Sequence, residues 1–400
     1  MLNSFKGKHV LLLQGPLGPF FKRFSKDLEA NGATITKVNF CGGDSFFFKG
    51  KNVIKYRDTL YNWPNYLRNL VTEKQITTII LLGDCRPYHT RAKTVCNEMN
   101  VDFYSFEEGY LRPNFITLEK EGVNGHSTMS KDPQFYLDQN LSPKKHIRTV
   151  GKSFGIGSLY TIIYYVATAL TVWRYPNYVH HRTSSVTHHA ACWVRGFFRK
   201  IFYSIREKRF INELTGVWSN KYFLFPLQVH NDFQFKHAKY ETIEDCIEEV
   251  FDSFSREAPK DNMLVIKHHP ADRPYKNYTG LIHKLATKYQ MQDRVLYIHD
   301  LHLPTLLQHA RGTILMNSTV GLSSIHHQTA VKVLGNSIYK IDGLTHNGTM
   351  SEFWNSPGEP DMTLYHHFRG WIEHNNQFNG NFSKKLKKTK YVSGVLWDLE

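Results

Sequence analysis

Residues 106–113 have the sequence FEEGYLRP, and residues 267–270 have the sequence KHHP. The first stretch begins at the last residue of an apolar run, residues 101–106, and the second directly follows another, residues 263–266. Both runs are short and largely apolar, as in a buried strand. Ligands of open α/β sheets bind outside the carboxyl ends of the strands. Acids at the end of one strand and imidazoles at the end of another therefore predict an α/β enzyme that transfers a group from an anionic donor.

Strand-like runs alternate with helical segments in both halves of the chain. In the first half, the pattern predicts strands over residues 9–14, 33–40, 76–82 and 101–106, with a helix over residues 20–31. In the second half, it predicts strands over residues 263–266, 295–298, 312–316 and 330–334, with helices over residues 242–255, 278–289 and 303–309. Such alternation is typical of βαβ units and parallel sheets. We therefore expect two Rossmann-like domains that face each other and are joined near residues 222–232.

Bulk composition limits the class of protein. A chain of 400 residues exceeds one ordinary core, which favours two domains. The net charge of +15 favours an acidic partner, which could be nucleic acid, an anionic lipid, or a phosphorylated or carboxylated substrate. The five cysteines are scattered without a Cys-x-x-Cys pair, which predicts small buried side chains in a reducing compartment. Residues 1–8 do not resemble a signal peptide, so we expect a cytoplasmic protein.

Two segments between the predicted domains indicate a helical insertion. Residues 153–173 contain no charged side chain, but their glycines, threonines and tyrosines disfavour a transmembrane helix. Residues 194–209 carry aromatic and aliphatic side chains on one helical face and cations on or beside the opposite face. A basic amphipathic helix is typical of a protein that docks on a membrane surface. The alternative is a helical hairpin packed on the protein with a solvated basic rim.

Glu107 and Glu108 are the candidate catalytic residues. A glycosyl transfer needs a carboxylate that deprotonates the acceptor hydroxyl or attacks the anomeric carbon. Adjacent residues at a strand end point to opposite sides, so we expect one acid to enter the crevice. We assign this role to Glu108 and expect Glu107 to pair with a cation such as Arg112. Two solvated loop acids are the structural alternative.

Other strand ends carry groups suited to an anion. Residues 267–270 could bind a phosphate or stabilise a leaving group, although lone histidines are more often structural. Residues 317–321 (NSTVG) offer hydroxyls and backbone N–H groups at a predicted helix start, where an ordinary N-cap explains them equally well. The turn at residues 15–18 has neither dinucleotide-binding nor Walker spacing.

We expect no metal site. The chain contains no Asp-x-Asp and no His-Glu-x-x-His sequence. The histidine pairs at positions 180–181 and 188–189, together with Cys192, have too few neighbouring ligands, which favours solvated loop histidines.

Five ordered segments resemble the capsule polysaccharide biosynthesis and export family of the KpsS/LipB type. They are residues 15–21 (GPLGPFF), 106–113 (FEEGYLRP), 225–232 (FPLQVHND), 267–270 (KHHP) and 317–322 (NSTVGL), the last continuing into residues 331–335 (VKVLG). The resemblance runs from near residue 9 to about residue 345. It implies a GT-B glycosyltransferase, with two Rossmann-like domains facing a central cleft. The implied reaction transfers 3-deoxy-D-manno-octulosonic acid (Kdo) from CMP-Kdo with retention of configuration.

The resemblance also implies residue roles. Glu107 and Glu108 fall on the carboxylate motif, which is similar to that of bacterial sialyltransferases. The residues assigned to donor binding are Gly15, Gly18, Arg112, Gln228, Lys267, His268, His269, Pro270, Asn317, Ser318 and Thr319. Because Lys-His-His-Pro replaces the commoner single-His form, either imidazole could contact CMP. Asp232 is the second carboxylate to test, as the nucleophile of a double displacement, with a hydrogen-bonding linker residue as the alternative. No metal or other cofactor is expected, since hydroxyls and a helix N-terminus can hold the single phosphate of CMP.

We expect four regions: an acceptor domain over residues 1–150, a membrane-docking helical insertion over 151–221, a CMP-sugar domain over 222–375 and a basic segment over 376–400. The implied acceptor is a (lyso)phosphatidylglycerol, on which the Kdo linker of capsular polysaccharide begins. The enzyme would work on the inner face of the inner membrane, with other capsule assembly and export proteins as partners. The alternative is a non-catalytic export factor that docks the polymer on a membrane transporter. Nucleic-acid binding is favoured only by the net charge, since no recognition motif is present.

Overall fold

The computed structural model describes residues 1–180, 186–230 and 240–398, without the side chains of residues 186–191 and 193. The strands are β1 (His9–Leu12), β2 (Thr34–Asn39), β3 (Val53–Lys55), β4 (Thr78–Leu82), β5 (Asp102–Glu108), β6 (Phe115–Lys120), β7 (Tyr222–Pro226), β8 (Met263–Lys267), β9 (Val295–Ile298), β10 (Gly312–Leu315), β11 (Ala330–Val333) and β12 (Gln377–Asn379). The α-helices are α1 (Phe20–Ala30), α2 (Gly42–Phe47), α3 (Trp63–Lys74), α4 (Pro87–Met99), α5 (Pro133–Gln139), α6 (Phe154–Leu170), α7 (Val186–Arg206), α8 (Lys208–Thr215), α9 (Ile243–Glu257), α10 (Thr279–Lys288), α11 (Leu303–His309), α12 (Val320–His326), α13 (Met350–Asn355) and α14 (Met362–Asn375).

The chain divides into two units, each built on its own sheet. Unit 1 comprises Met1–Thr128, Pro143–Val186 and Gly370–Glu400, and unit 2 comprises Met129–Ser142 and Thr187–Arg369. These bounds differ from those expected from the sequence. The expected insertion is divided, because α6 packs on α2 of unit 1 while α8 packs on α11 of unit 2. The C-terminal segment returns to unit 1, where β12 pairs with β6.

The sheet of unit 1 has the order β12-β6-β5-β4-β1-β2-β3. Strands β1 to β5 are parallel, whereas β6 and β12 are antiparallel to their neighbours. From β1 the chain first adds strands on one side and then, from β4, on the other, as in Rossmann-like sheets. The sequence pattern missed β3, β6 and β12. Strands β3 and β12 have three residues each and lie at the edges of the sheet, so their own residues carry a weak signal. Strand β6 lies between β5 and β12, and its antiparallel pairing with these strands identifies it.

The sheet of unit 2 is parallel throughout, with the order β11-β10-β7-β8-β9. Its middle strand, β7, is buried along its whole length, although the sequence analysis placed the joint between domains there. The expected α/β class with two Rossmann-like units is confirmed. In the part of the chain that the structure describes, no helix is both long enough and apolar enough to cross a membrane.

Apolar side chains cover both faces of the unit 1 sheet, as is usual for parallel strands. Leu11 points to the face where Trp63 packs, and Leu12 points to the opposite face with Phe24 and Phe106. Successive strand residues alternate between faces, so a continuous apolar run fills both cores. The carboxyl ends of the strands are thereby left for polar residues.

Gly42 allows α6 to approach α2 closely. A side-chain carbon at Gly42 would overlap with Thr171 Oγ1 and with the Ala167 carbonyl oxygen. We expect Gly42→Ala to lower the free energy of unfolding by about 1–3 kcal/mol, the usual cost of overpacking, in urea titrations. Gly155→Ala on α6 is the matched control, since no atom lies within 4 Å of the added carbon. Equal stabilities of the two variants would contradict this close packing.

Candidate active site

In unit 2, two of the motif segments meet at the carboxyl ends of the middle strands. Gln228 follows β7 and Asn317 follows β10, the two strands between which the chain order reverses. Gln228 Nε2 donates a hydrogen bond of 2.8 Å to Asn317 Oδ1, and both side chains are buried. Ligands of open α/β sheets bind at this kind of reversal point. The Gln228–Asn317 pair therefore marks the candidate ligand site of unit 2.

Lys267 is the last residue of the neighbouring strand β8, His268 follows it, and both side chains are buried. Lys267 Nζ donates to the His299 carbonyl oxygen at 3.2 Å, and burial lowers the pKa of Lys267 to about 8. The His268 ring is hydrogen-bonded to the Tyr297 hydroxyl at 2.6 Å. Burial lowers the pKa of His268 to about 3, so its ring is neutral at physiological pH. His268 can therefore shape the site but supplies no positive charge to a ligand.

His269 is the half-exposed imidazole of the motif. The backbone N–H of Ala271 donates to His269 Nδ1 at 3.1 Å. An accepting Nδ1 places the proton of the neutral ring on Nε2, which is then a donor. Of the two histidines, His269 is the one suited to donate to a phosphate oxygen. Pro270 follows it at an exposed position.

The buried ring of His268 predicts a loss of stability in acid. Unfolded histidine takes up a proton near pH 6.5, but folded His268 does so only near pH 3, so the unfolded state binds more protons in between. Stability is therefore lost as the pH falls below 6.5, by about 2 kcal/mol at pH 5. Urea unfolding at pH 7 and pH 5 should show a smaller difference for His268→Gln than for the wild type. His283→Gln, which replaces an exposed ring on α10, should keep the wild-type difference. If His268→Gln lost as much stability between pH 7 and pH 5 as the wild type, the assignment of this loss to His268 would be contradicted.

Ser318 and Thr319 lie between β10 and α12 and are partly exposed. Ser318 Oγ accepts the Val320 N–H at 3.3 Å, and the Ser318 carbonyl oxygen accepts the Tyr339 hydroxyl. Gly321 lies against the Tyr339 ring, where any side chain would overlap. This packing holds the two hydroxyl-bearing residues beside Asn317.

An acid that no sequence motif marks supports this site through His299, whose carbonyl oxygen accepts Lys267. Glu207, between α7 and α8, is buried and accepts the backbone N–H groups of His299 and Asp300 at 2.8–2.9 Å. Burial opposes ionisation, but hydrogen bonds from His299 and Asp300 hold the pKa of Glu207 below its usual value. Asp300 in turn binds Arg273 at 2.5 Å. These partners are distant in sequence, so no local spacing could have revealed them.

Some of the expected residues lie outside the described part of the chain. They are Asp232 and His181, together with the side chains of His188 and His189. The proposed nucleophile therefore stays a prediction, whereas the expectation of loop histidines is wrong for His188 and His189, because their backbone lies in α7.

In unit 1, Glu107 and Glu108 are the last two residues of β5, so they lie at a strand end as expected and the alternative of two loop acids is wrong. The strand continues because β6 pairs with it, placing Glu107 opposite Thr117 and Glu108 opposite Ile116. Glu107 Oε1 accepts the backbone N–H of Glu108 at 2.9 Å, so this side chain turns towards its own main chain.

Glu108 differs from its neighbour in its electrostatics. Its side chain reaches solvent, but the surrounding protein desolvates it and raises its pKa, with the charge of Arg112 opposing the shift. Arg112 Nε donates to the Gly109 carbonyl oxygen at 3.3 Å. A raised pKa makes an accessible carboxylate a stronger base than an ordinary glutamate, which suits Glu108 to accept a proton.

Gly15 and Gly18 form the turn after β1. Gly15 lies against the ring of Phe21, and Gly18, with φ of +125°, lies against Tyr160 of α6. Strand β4 separates β1 from β5, so these two strands lie about 10 Å apart in the sheet. The glycines thus serve close packing of α1 and α6.

A cluster that the sequence analysis missed lies at the end of β4. Asp84 is buried and accepts the Val123 N–H at 3.1 Å and the His126 ring N–H at 2.9 Å, with Cys85 Sγ 3.3 Å from its other oxygen. Carboxylate, thiolate and imidazole are the ligands that zinc-class ions prefer, so these three residues could hold such an ion. Residues 83–87 directly follow the predicted strand at residues 76–82. His126 is distant from them in sequence, so no local spacing could have identified the cluster.

A family model and two of the curated relatives identify one family. A family model described as capsule polysaccharide biosynthesis protein matches residues 77–383. The capsule polysaccharide export protein KpsS of Escherichia coli is 40% identical over 378 residues, which cover 93% of this chain and 96% of that protein. The capsule polysaccharide modification protein LipB of Neisseria meningitidis serogroup A is 37% identical over 387 residues, covering 95% and 92%. Among solved structures, KpsC of Thermosulfurimonas dismutans, a beta Kdo 2,7 transferase, matches with a TM-score of 0.45 and 15% identity, covering 93% of this chain and 92% of that chain.

Proposed function

Because the chain belongs to the capsule polysaccharide biosynthesis protein family, we propose that it is a glycosyltransferase that adds Kdo to a lipid acceptor. The donor is CMP-Kdo and the acceptor is a (lyso)phosphatidylglycerol, so the product begins the Kdo linker of capsular polysaccharide. The reaction retains the configuration at the anomeric carbon. The observation that supports a transferase best is the hydrogen bond between Gln228 and Asn317 at the strand-order reversal of unit 2, where His269 follows the adjacent strand β8.

In this proposal unit 2 binds the CMP group. His269 Nε2 donates to a phosphate oxygen, and the hydroxyls of Ser318 and Thr319 supply further donors. A single phosphate carries less charge than a pyrophosphate, so neutral donors are sufficient to hold it and a metal ion is not required. Donors that stay in place as the phosphate leaves also stabilise the charge that develops on it.

Unit 1 supplies the acid–base group in this proposal. Glu108 takes the proton of the attacking hydroxyl, for which its raised pKa suits it. Retention by double displacement needs a second carboxylate that forms a covalent glycosyl intermediate. We assign this role to Asp232, four residues after Gln228.

The test is a transfer assay with the purified full-length protein. CMP-Kdo and lysophosphatidylglycerol should give a glycolipid and an equal amount of CMP, whereas CMP-Kdo with lysophosphatidylcholine should give little of either. Lysophosphatidylcholine has the same acyl chain but no glycerol hydroxyls in its head group. Comparison of the two lipids therefore tests whether the head-group hydroxyl accepts the sugar, and not only whether a lipid disperses the protein. No glycolipid in the first reaction would contradict the proposal.

The proposed site of action is the inner face of the inner membrane, beside other capsule assembly and export proteins. The (lyso)phosphatidylglycerol acceptor requires an enzyme that works at a lipid surface. The high net charge serves this surface and not nucleic acid.

A second candidate function is export of the finished polymer without catalysis. It is favoured by the description of the Escherichia coli relative as an export protein. An export factor needs neither Glu108 nor His269. In a strain that lacks this protein, Glu108→Gln and His269→Ala variants should then restore surface polysaccharide. The transferase proposal expects both variants to fail in the same experiment.

A further inference from the structure

Helix α6 exposes an apolar stripe to solvent. Its outward residues follow one another at helical spacing, and they are Phe154, Leu159, Ile162, Val166 and Leu170, continued by Trp173. Phe154 is 87% exposed and Leu170 is 73% exposed. Scattered exposed apolar residues are normal, but a continuous helical stripe marks an interaction surface.

The opposite side of α6 is polar and packs on unit 1. The Tyr164 hydroxyl donates to Asp44 at 2.9 Å and accepts from Gln14 Nε2 at 3.2 Å, all three side chains being buried. Thr168 Oγ1 accepts the Gly43 N–H at 3.1 Å. A helix on the surface of a soluble core normally buries its apolar side. In α6 the polar side faces the core and the apolar side faces solvent, so the outward stripe has a partner other than this core.

A basic pocket lies where α6 begins. It is lined by the cations Arg148, Lys384, Lys385 and Lys387 and by no acid. Lys384 Nζ donates to the Lys152 carbonyl oxygen at 3.4 Å, and Gly157 of α6 lies against Ser383. The stripe and the pocket thus adjoin within unit 1.

The sequence around both features lacks negative charge. No Asp or Glu occurs between Asp138 and Glu207, or between Glu373 and Asp398. At the far end of the stripe, the Arg174 guanidinium lies 4.5 Å from the centre of the Trp173 ring, a pairing suited to the boundary between water and lipid. Cations at both ends of an apolar stripe complement an anionic surface that has an apolar layer beneath it.

Helix α7 of unit 2 shows the same inversion. Phe198, Ile201 and Phe202 are exposed, whereas Arg195 Nε and Arg199 Nη1 each donate at 2.8 Å to carbonyl oxygens of residues 273–274. The sequence analysis expected a solvated basic rim in the case without a membrane. Arg195 and Arg199 contact protein, whereas Lys200 and Arg206 are exposed as in such a rim, and the aromatic side chains also face solvent.

We propose that unit 1 docks on an anionic phospholipid surface through the α6 stripe and the basic pocket. Helix α6, with 17 residues, is about 25 Å long and lies in the plane of the surface, its apolar side among the acyl chains and the pocket on phosphate head groups. A second copy of this chain fits less well, because pairing two such faces would bring the basic pockets together. The proposal concerns binding alone and does not rest on the transfer reaction.

The test uses the full-length protein and extruded vesicles in a flotation assay without donor sugar. Vesicles of phosphatidylcholine with about one third phosphatidylglycerol should bind the protein at least tenfold more strongly than phosphatidylcholine alone, since each cation near the surface contributes to attraction. High salt should weaken this preference by screening the head-group charge.

Two sets of variants separate the features. The triple variant Leu159→Gln, Ile162→Gln, Val166→Gln should lose most binding to both kinds of vesicle, whereas Val217→Gln, at an exposed apolar position of unit 2, should behave as wild type. The double variant Lys385→Glu, Lys387→Glu should lose the preference for phosphatidylglycerol, at least tenfold, whereas Lys284→Glu on α10 should keep it. All substituted residues are exposed, and circular dichroism should confirm that the variants fold.

Several results would overturn the proposal. They are absence of wild-type binding to the phosphatidylglycerol vesicles, wild-type binding by the triple variant, and an unchanged lipid preference in the Lys385, Lys387 variant. A dimer in light scattering that becomes a monomer in the triple variant, with vesicle binding retained, would assign the stripe to a second copy of the chain. Tryptophan fluorescence gives an independent measurement, because docking should shift the emission of the wild type to the blue when lipid is added. Trp173→Phe should remove part of this shift.

Discussion

Replacing Glu108 by glutamine is expected to lower the turnover number of sugar transfer by about 100-fold or more, the usual contribution of a general base. Glutamine keeps the shape of the side chain but cannot accept the proton of the attacking hydroxyl. Donor binding should be nearly unchanged, because the residues proposed to hold the phosphate, His269, Ser318 and Thr319, lie in unit 2 and Glu108 lies in unit 1. Steady-state kinetics and calorimetric titration with CMP measure the two quantities separately.

Glu107→Gln is the matched control, since it makes the same change one residue earlier. Glu107 turns towards its own backbone, so this variant should retain most of the activity. Stability gives a second readout. Because the pKa of Glu108 is raised in the folded state, the folded state binds its proton more tightly than the unfolded state does. The free energy of unfolding therefore falls as the pH rises, and the wild type is less stable at pH 7 for this reason. Glu108→Gln should therefore melt at the same or a higher temperature. An active Glu108→Gln variant would remove Glu108 from the catalytic role.

The second large effect is expected at His269. His269→Ala should weaken the binding of CMP by about 10- to 100-fold, the range for loss of a hydrogen bond to a charged group. His269→Gln should restore part of this affinity, because the amide N–H₂ of glutamine can occupy the place of Nε2. Calorimetry with CMP as the ligand gives the affinities without any transfer reaction.

The neighbouring His268 provides the contrast in this experiment. Because its ring is buried and bound to Tyr297, the His268→Gln variant should change stability more than the affinity for CMP. Equal CMP affinities of the wild type and His269→Ala would contradict the assignment of His269. If His268→Gln lost more affinity for CMP than His269→Ala, the role of phosphate donor would belong to the buried ring of His268.

Much of the site was predictable because it lies at strand ends. The apolar runs before His269 and Asn317 each predict a buried parallel strand, and parallel strands share one carboxyl edge. The run before Gln228 was interpreted as the joint between the domains, so its strand was not predicted. The acidic pair was predictable in the same way. Its strand was predicted two residues too short, because the pairing of β5 with β6 extends it beyond the apolar run.

The units could not be delimited from the sequence, because distant segments complete them. Strand β12 joins the sheet of unit 1 although it lies more than 250 residues after β6. The order of strands in unit 2 likewise turned the expected joint at residues 222–226 into the middle strand of a sheet. Local pattern reports the type of an element but not its neighbour in space.

The sequence by itself determined the α/β class, the family and the strand ends that carry the candidate site, since periodicity and motif spacing are local properties of the chain. Only the tertiary structure decided which imidazole of the KHHP motif is buried, that Glu107 turns to its own backbone, and that the polar side of α6 faces the protein. Burial and hydrogen-bond partners depend on residues far away in the chain. The pKa of His268 and the exposed stripe of α6 therefore follow from packing and not from the spacing of the residues around them.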